Sequence, residues 1–265
     1  MRLTSTSLYR AYNCDGGSLV AALWKRFSTL PNLPPLDFAH EVSAVYSASI
    51  EGNSLDLNAY INSKGIRAAN KAQSSERREI DDLVAVYRWA QETPLTEAGT
   101  LEAHRRLARG FVPKPLLGAY RKSVMFVLSG AGIEYAAVEW QLVPERMAEL
   151  FSEMDALLNA RLSVGRVFYH ASLLHLRFVH IHPFHDGNGR MARLLEKWFL
   201  AQKLGVKAWQ IPVEAHYRAH RDAYYANLRQ MGANFYDLDY LKSVPFLTML
   251  PDALADSVKQ LSSRP

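Results

Sequence analysis

The chain has 265 residues, 31 basic against 26 acidic side chains for a formal net charge of +5, 49% hydrophobic and 22% charged residues. That balance is ordinary for a globular protein and excludes a disordered chain, a collagen and a low-complexity scaffold. A single cysteine, Cys14, allows no internal disulfide and fits a reducing compartment.

Residues 1–36 read as a polar N-terminal extension without the apolar core of a signal peptide. No run approaches the roughly 18 apolar residues of a membrane helix, so the chain reads as cytoplasmic. The stretch PNLPPLD starts a helix, with Asp37 expected as its N-cap. Val42, Val45, Tyr46 and Ile50 follow at helical spacing, and Gly52 and Asn53 stop the helix, giving bounds of 37–52. Further helices are expected at 57–67 and 76–91, the second ended by Pro94, and at 96–109 before Gly110. The segment 113–140 differs. Its β-rich run Val124–Leu128, two glycines and a second run around Tyr135–Val138 predict a hairpin within 121–138. Helix resumes at Pro144. The stretch 164–180 is apolar nearly all round and predicts a central buried helix. The turn HPFHDGNG opens another helix, 214–231 reads as one more, and the remainder to Ser262 reads as helix interrupted by Pro245 and Pro251. The fold class is therefore all-α with one small hairpin, and residues 37–262 form a single domain.

The densest chemical signal is residues 182–193, HPFHDGNGRMAR. Two glycines flank Asn188 where a turn opens into a helix. Glycine lets a ligand approach the backbone, and successive N–H groups at a helix start make an anion cradle. Arg190 and Arg193 are three apart, so they project from nearly one face of the first turn. Their forked donors suit phosphate. Asp186 brings a lone carboxylate beside the cradle, the usual way to hold Mg²⁺ together with phosphate oxygens. His182 stands at the other end of the turn and suits general-base work. Together the parts describe a Mg²⁺-nucleotide site with a base for a hydroxyl.

These residues resemble the Fic (filamentation induced by cAMP) family. Its signature H-x-F-x-[DE]-G-N-G-R-x-x-R is met at every fixed position, and the likeness extends over about 40–245. The resemblance implies a helical bundle with a β-hairpin flap before the motif, where 121–138 lies. It implies adenylyl transfer, from ATP to a Ser, Thr or Tyr hydroxyl of a target protein and of the chain itself. His182 would be the base, Asp186 would hold Mg²⁺, and Gly187, Asn188, Gly189 and Arg190 would bind the phosphates. Arg193 would grip the γ-phosphate. Upstream, Ser47-Ala48-Ser49-Ile50-Glu51-Gly52 resembles the family's inhibitory helix, [ST]-x-x-x-E-[GN]. There Glu51 would pair with Arg193 and block the γ-phosphate. Tyr224, Tyr225 and Asn234 are the candidates for the base pocket. The flap has Ala136-Ala137-Val138 where many relatives have two prolines. A homodimer is also open on this resemblance.

Rival readings are weaker. His170, His175 and His180 recur every five residues, which is not the spacing of a helical zinc site, and a metal-dependent hydrolase lacks a nameable third ligand. No helix-turn-helix or basic-aromatic run supports a nucleic-acid binder. Removal of AMP, or transfer of another phosphoryl group on the same fold, stays open. The charge itself is local: residues 161–200 carry six basic against two acidic side chains. The basicity thus reads as a phosphate site.

Overall fold

Helix α8 (Val164–Ile181) is the axle of the fold. Fifteen of its residues are buried, from Gly165 to Ile181, as an all-round apolar sequence requires. The computed structural model describes residues 6–14, 19–65, 71–129 and 132–263. Around α8 lie α1 (Thr6–Cys14), α2 (Val20–Ser28), α7 (Val143–Asn159), α9 (Asn188–Leu204) and α12 (Val244–Ser262), with α9 in the most extensive contact. A second layer is built on α3 (Leu36–Ile50), which packs on α5 (Lys71–Gln91) and on α10 (Val213–Ala219). Helices α4 (Leu57–Ser63), α6 (Glu97–Leu107) and α11 (Arg221–Arg229) complete twelve α-helices among the described residues. The strands β1 (Phe126–Ser129) and β2 (Gly132–Ala136) form an antiparallel hairpin with a bulge between Val127 and Leu128.

The hairpin falls within 121–138 and joins no other sheet strand among the described residues. Val124, Phe126, Leu128 and Ile133 on it are exposed. Its second strand is anchored instead by Ala136 N–H donating to the Ala233 carbonyl, and Ala137 N–H donates to Met125. Both are bonds that prolines would delete.

Several boundaries differ from the sequence reading. Asp37 is not the N-cap. Pro35 occupies that position, and Asp37 sits in the first turn, paired with Arg88 at 2.9 Å. The helix before Pro94 begins at Lys71, so the polar KAQSS segment is helical too. The 214–231 stretch breaks at His220, between α10 and α11. Conversely, α12 runs straight through Pro251. Pro245 lies in its first turn, where no N–H is needed. At Pro251 the buried Phe246, Leu247, Leu250 and Leu254 outweigh an interior-proline cost of about 3 kcal/mol. Helices α1 and α2 form where the sequence reads as a polar extension. They are only nine residues each, too short for a clear periodicity. Their Leu8, Tyr12, Val20, Trp24 and Phe27 belong to the same core as α8. Residues 66 and 67 of the expected 57–67 helix lie outside the described residues.

Candidate active site

Residues 182–193 connect α8 to α9. Helix α8 ends at His182, which adopts φ 53° and ψ 59°. It is the one non-glycine residue with positive φ among the described residues. Such backbone costs of order 1 kcal/mol or more and persists only where the surroundings hold it. The His182 Nδ1–H donates to the Val179 carbonyl at 3.1 Å, so Nε2 carries the free lone pair. Burial, with help from the Arg121 charge, pushes the His182 pKa down to about 4. The ring is therefore neutral and able to accept a proton at physiological pH.

The turn is closed by Asn188. Its Oδ1 accepts from Phe184 N–H at 2.9 Å and its Nδ2 donates to the Phe184 carbonyl at 2.9 Å. The side chain thus braces the loop from within, and only its backbone is left for an anion. Gly187 has φ 85°, which favours glycine, and it caps the start of α9. Gly189 is required for another reason: a β-carbon there would collide with the Glu51 carboxylate.

The two motif arginines turn out to serve different neighbours. Arg190 pairs with Glu79 of α5 and, at 3.3 Å, with Asp186. Its guanidinium lies 3.7 Å from the Phe111 ring centre. Glu79 also accepts from Asn53 at 2.9 Å, just beyond the end of α3. Arg193 is 1% exposed and faces α3. Its Nη2 donates to Glu51 at 2.7 Å and to the Ser47 carbonyl at 3.0 Å. Its Nε donates to Ser47 Oγ at 3.0 Å, and Nη1 reaches the Tyr224 hydroxyl at 3.4 Å. Burial opposes charge on Glu51, but Arg193 and Arg190 outweigh it and hold the carboxyl below the usual glutamate range. Burial likewise opposes Arg193, and Glu51 more than compensates, so the guanidinium stays charged.

A cavity of about 550 Å³ opens between the hairpin and α11. Glu51, His182 and Gly189 form its floor, and Val127 and Tyr135 of the hairpin and Tyr225 of α11 its walls. That volume suits a nucleotide-sized ligand. Tyr224 lines it too, but is 1% exposed, its hydroxyl 3.0 Å from His175 Nε2. Tyr225 is half-buried and donates to the Ile50 carbonyl at 3.3 Å. Asn234 does not line the cavity. Its Oδ1 caps the short helix 235–237, accepting from Tyr236 N–H at 2.9 Å and Asp237 N–H at 3.1 Å, and its backbone bridges to Ala136. Asp186, Gly187, Asn188, Arg190 and Arg193 also lie outside the lining, and Arg193 meets it through Glu51.

Asp186 tests the expectation of Mg²⁺. Its Oδ1 accepts from Gly187 N–H and from Arg190, and the side chain is 53% exposed. No group of three or more metal-ligating side chains exists among the described residues. A lone accessible carboxylate beside an anion cradle fits an ion that keeps its waters and takes its other ligands from phosphate.

Residues 94–200 match the sequence model of the Fic/DOC family. Over 192 residues the chain is 31% identical to the protein adenylyltransferase Fic of Culex quinquefasciatus, covering 69% of this chain and 35% of that protein. Residues 94–200 are a Fic/DOC family domain. The protein adenylyltransferase Fic of Nematostella vectensis is 28% identical over 215 residues, covering 76% of this chain and 45% of that one. The chain therefore spans between a third and a half of the length of these curated relatives. The crystal structure of a Fic family protein from Desulfovibrio desulfuricans superposes with a TM-score of 0.79 at 26% identity, covering 96% of this chain and 76% of the other. The helical bundle with a small hairpin is thus the fold of the family.

Three side chains of the Fic site were not legible in the sequence. Glu79 looks like one more charge on an exposed helix face. His104 of α6 donates from Nε2 to the Asp186 carbonyl at 3.0 Å and accepts from Gly118 N–H at 2.9 Å. It stacks on Phe184 with ring centres 3.7 Å apart, and burial pushes its pKa down to about 4. Arg121, 2% exposed, sits against the backbone of His182. Only a buried polar position on an otherwise apolar face hints at such residues.

Proposed function

We propose that this chain transfers AMP from ATP to a hydroxyl of a target protein, and that Glu51 holds it in an inhibited state. His182 Nε2 takes the proton of the attacking hydroxyl, and the oxygen attacks the α-phosphorus as pyrophosphate leaves. The N–H groups at the start of α9 face the phosphates, where developing charge is stabilised most effectively by fixed donors. Asp186 is the residue that would hold Mg²⁺, which would neutralise phosphate charge when bound. The base pocket is assigned to the wall at Tyr225, with Tyr224 supporting Arg193. In the inhibited state the Glu51 carboxylate sits where a γ-phosphate would meet Arg193. The observation that carries this reading is the buried Arg193 guanidinium, closed by a Glu51 that lines the same cavity as the proposed base. The named adenylyltransferases among its relatives support the chemistry. No helix among the described residues is long and apolar enough to cross a membrane. We place the chain in the cytoplasm without direct nucleic-acid contact, and a homodimer stays open.

The test uses the Glu51→Gly protein with Mg²⁺ and either [α-³²P]ATP or [γ-³²P]ATP. Label is expected from the α-position only, and absent when His182→Ala is added. Label from the γ-position would assign phosphorylation instead. Label that survives His182→Ala would remove His182 as the base.

A further inference from the structure

One buried arginine touches both the base and the hairpin. Arg121 donates through its backbone N–H to the Pro183 carbonyl at 2.9 Å, through Nε to the His182 carbonyl at 2.7 Å, and through Nη2 to the Ile181 carbonyl at 3.3 Å. Three consecutive carbonyls around the left-handed His182 thus accept from one residue. The same side chain donates from Nη1 to the Ser123 carbonyl at 2.8 Å and from Nη2 to the Val138 carbonyl. Ser123 and Val138 are the two feet of the hairpin. All four side-chain bonds go to carbonyls. Only a guanidinium offers five donors in one fixed plane, so lysine cannot reproduce the set.

We propose that Arg121 is the positioning residue for His182: it holds the left-handed turn that aims the imidazole and ties that turn to the feet of the hairpin. A backbone conformation that histidine resists has to be held from outside, and no other side chain of the described residues donates to the His182 carbonyl. The hairpin and the base then move as one unit. Docking of a target segment on the hairpin is thereby registered against the His182 ring. Arg121 touches no reacting atom, so its effect is on geometry.

The kinetic arm of the test rests on the adenylyl-transfer reading, and the other arms do not. In the Glu51→Gly background, Arg121→Lys is expected to lower kcat roughly 10–100-fold with the KM for ATP unchanged, the size of effect that a misplacement of about 1 Å produces. It is also expected to shift the His182 ring resonance in ¹³C-labelled protein. Arg177→Lys is the control, because Arg177 is a buried α8 arginine whose ion pair is with Glu153, with no bond to the 181–183 carbonyls. It should do neither. Adding His182→Gly to Arg121→Lys should recover the melting temperature lost to the lysine, because glycine adopts the left-handed turn unaided. If Arg121→Lys alone does not fold, the double variant is expected to restore a cooperative melt. An unmoved resonance, a kcat loss matched by Arg177→Lys, or no recovery in the double variant overturns the proposal. If the Glu51→Gly parent transfers nothing, the activity reading falls, and the resonance and melting arms still decide on Arg121.

Discussion

Two of the ion pairs made by helix α9 lie one turn apart, and they are built differently. Deep in the core, Lys197 pairs with Glu214 at 3.0 Å, and each side chain is 1% exposed. Tyr87 donates to Glu214 at 2.7 Å and Lys197 donates to Ser43, so every charge is enclosed by protein. Beside the cavity, Arg193 is equally buried, but its partner Glu51 lines the cavity, is 29% exposed and is the C-cap of α3. The sequence points to the second pair, through its motif, and not to the first. The difference is what the carboxylate can be exchanged for. Glu214 can be replaced by nothing from solution, whereas Glu51 occupies a place that a phosphate can reach. The first pair is structure, and the second is the proposed switch.

The largest expected effect breaks the deep pair. Lys197→Met leaves Glu214 charged and enclosed, and should cost about 3–5 kcal/mol in urea unfolding. Mg²⁺-ATP should not restore that loss by more than it stabilises the unaltered protein. Glu51→Gly should cost about 1–2 kcal/mol, because water reaches Arg193 once the carboxylate is gone. That loss should be recovered by Mg²⁺-ATP, since a ligand at 100 times its Kd adds about 2.7 kcal/mol. Equal ATP rescue of both variants would erase the distinction between the two pairs.

A smaller effect sharpens the picture at the loop. His104, His180 and His182 are pushed down by burial, to about 4, about 3 and about 4. Each folded value lies below the ordinary histidine value of 6.5. The unfolded chain therefore binds protons that the folded chain refuses, and stability is lost as pH falls from about 6.5 toward 3. His104→Gln should flatten part of that fall. An unchanged slope would mean that His104 carries no such linkage. The smallest effect is expected from Asn188→Ala, about 1 kcal/mol for the lost brace across the 184–188 loop. A thermal melt reads it.

The sequence was most informative where chemistry demands fixed residue types at short spacing. The 182–193 motif, and Ser47 with Glu51 on one face of α3, could be read directly. The structure brings Ser47, Glu51 and Arg193 together across more than a hundred residues. It separates what spacing had joined: Arg190 and Arg193 are near in sequence, yet α5 and Phe111 take the first and α3 takes the second. Asn188 and Tyr224 turn inward because unpaired polar groups beside a core must find partners. Asn234 is drawn to the turn it caps. Arg121, His104 and Glu79 were illegible, because each acts through backbone or through a charge brought from another helix. The two N-terminal helices are illegible because nine residues hardly establish a period, and α12 reads as interrupted because its packing overrides Pro251.

Glu51 is proposed to stand in the way of the phosphate. Intact-mass measurement of the unaltered and the Glu51→Gly proteins after incubation with Mg²⁺-ATP tests it most directly. An AMP-mass adduct on Glu51→Gly, scarce on the unaltered chain and lost when Arg193→Ala is added, is the predicted result. An equal adduct on the unaltered chain would contradict the account.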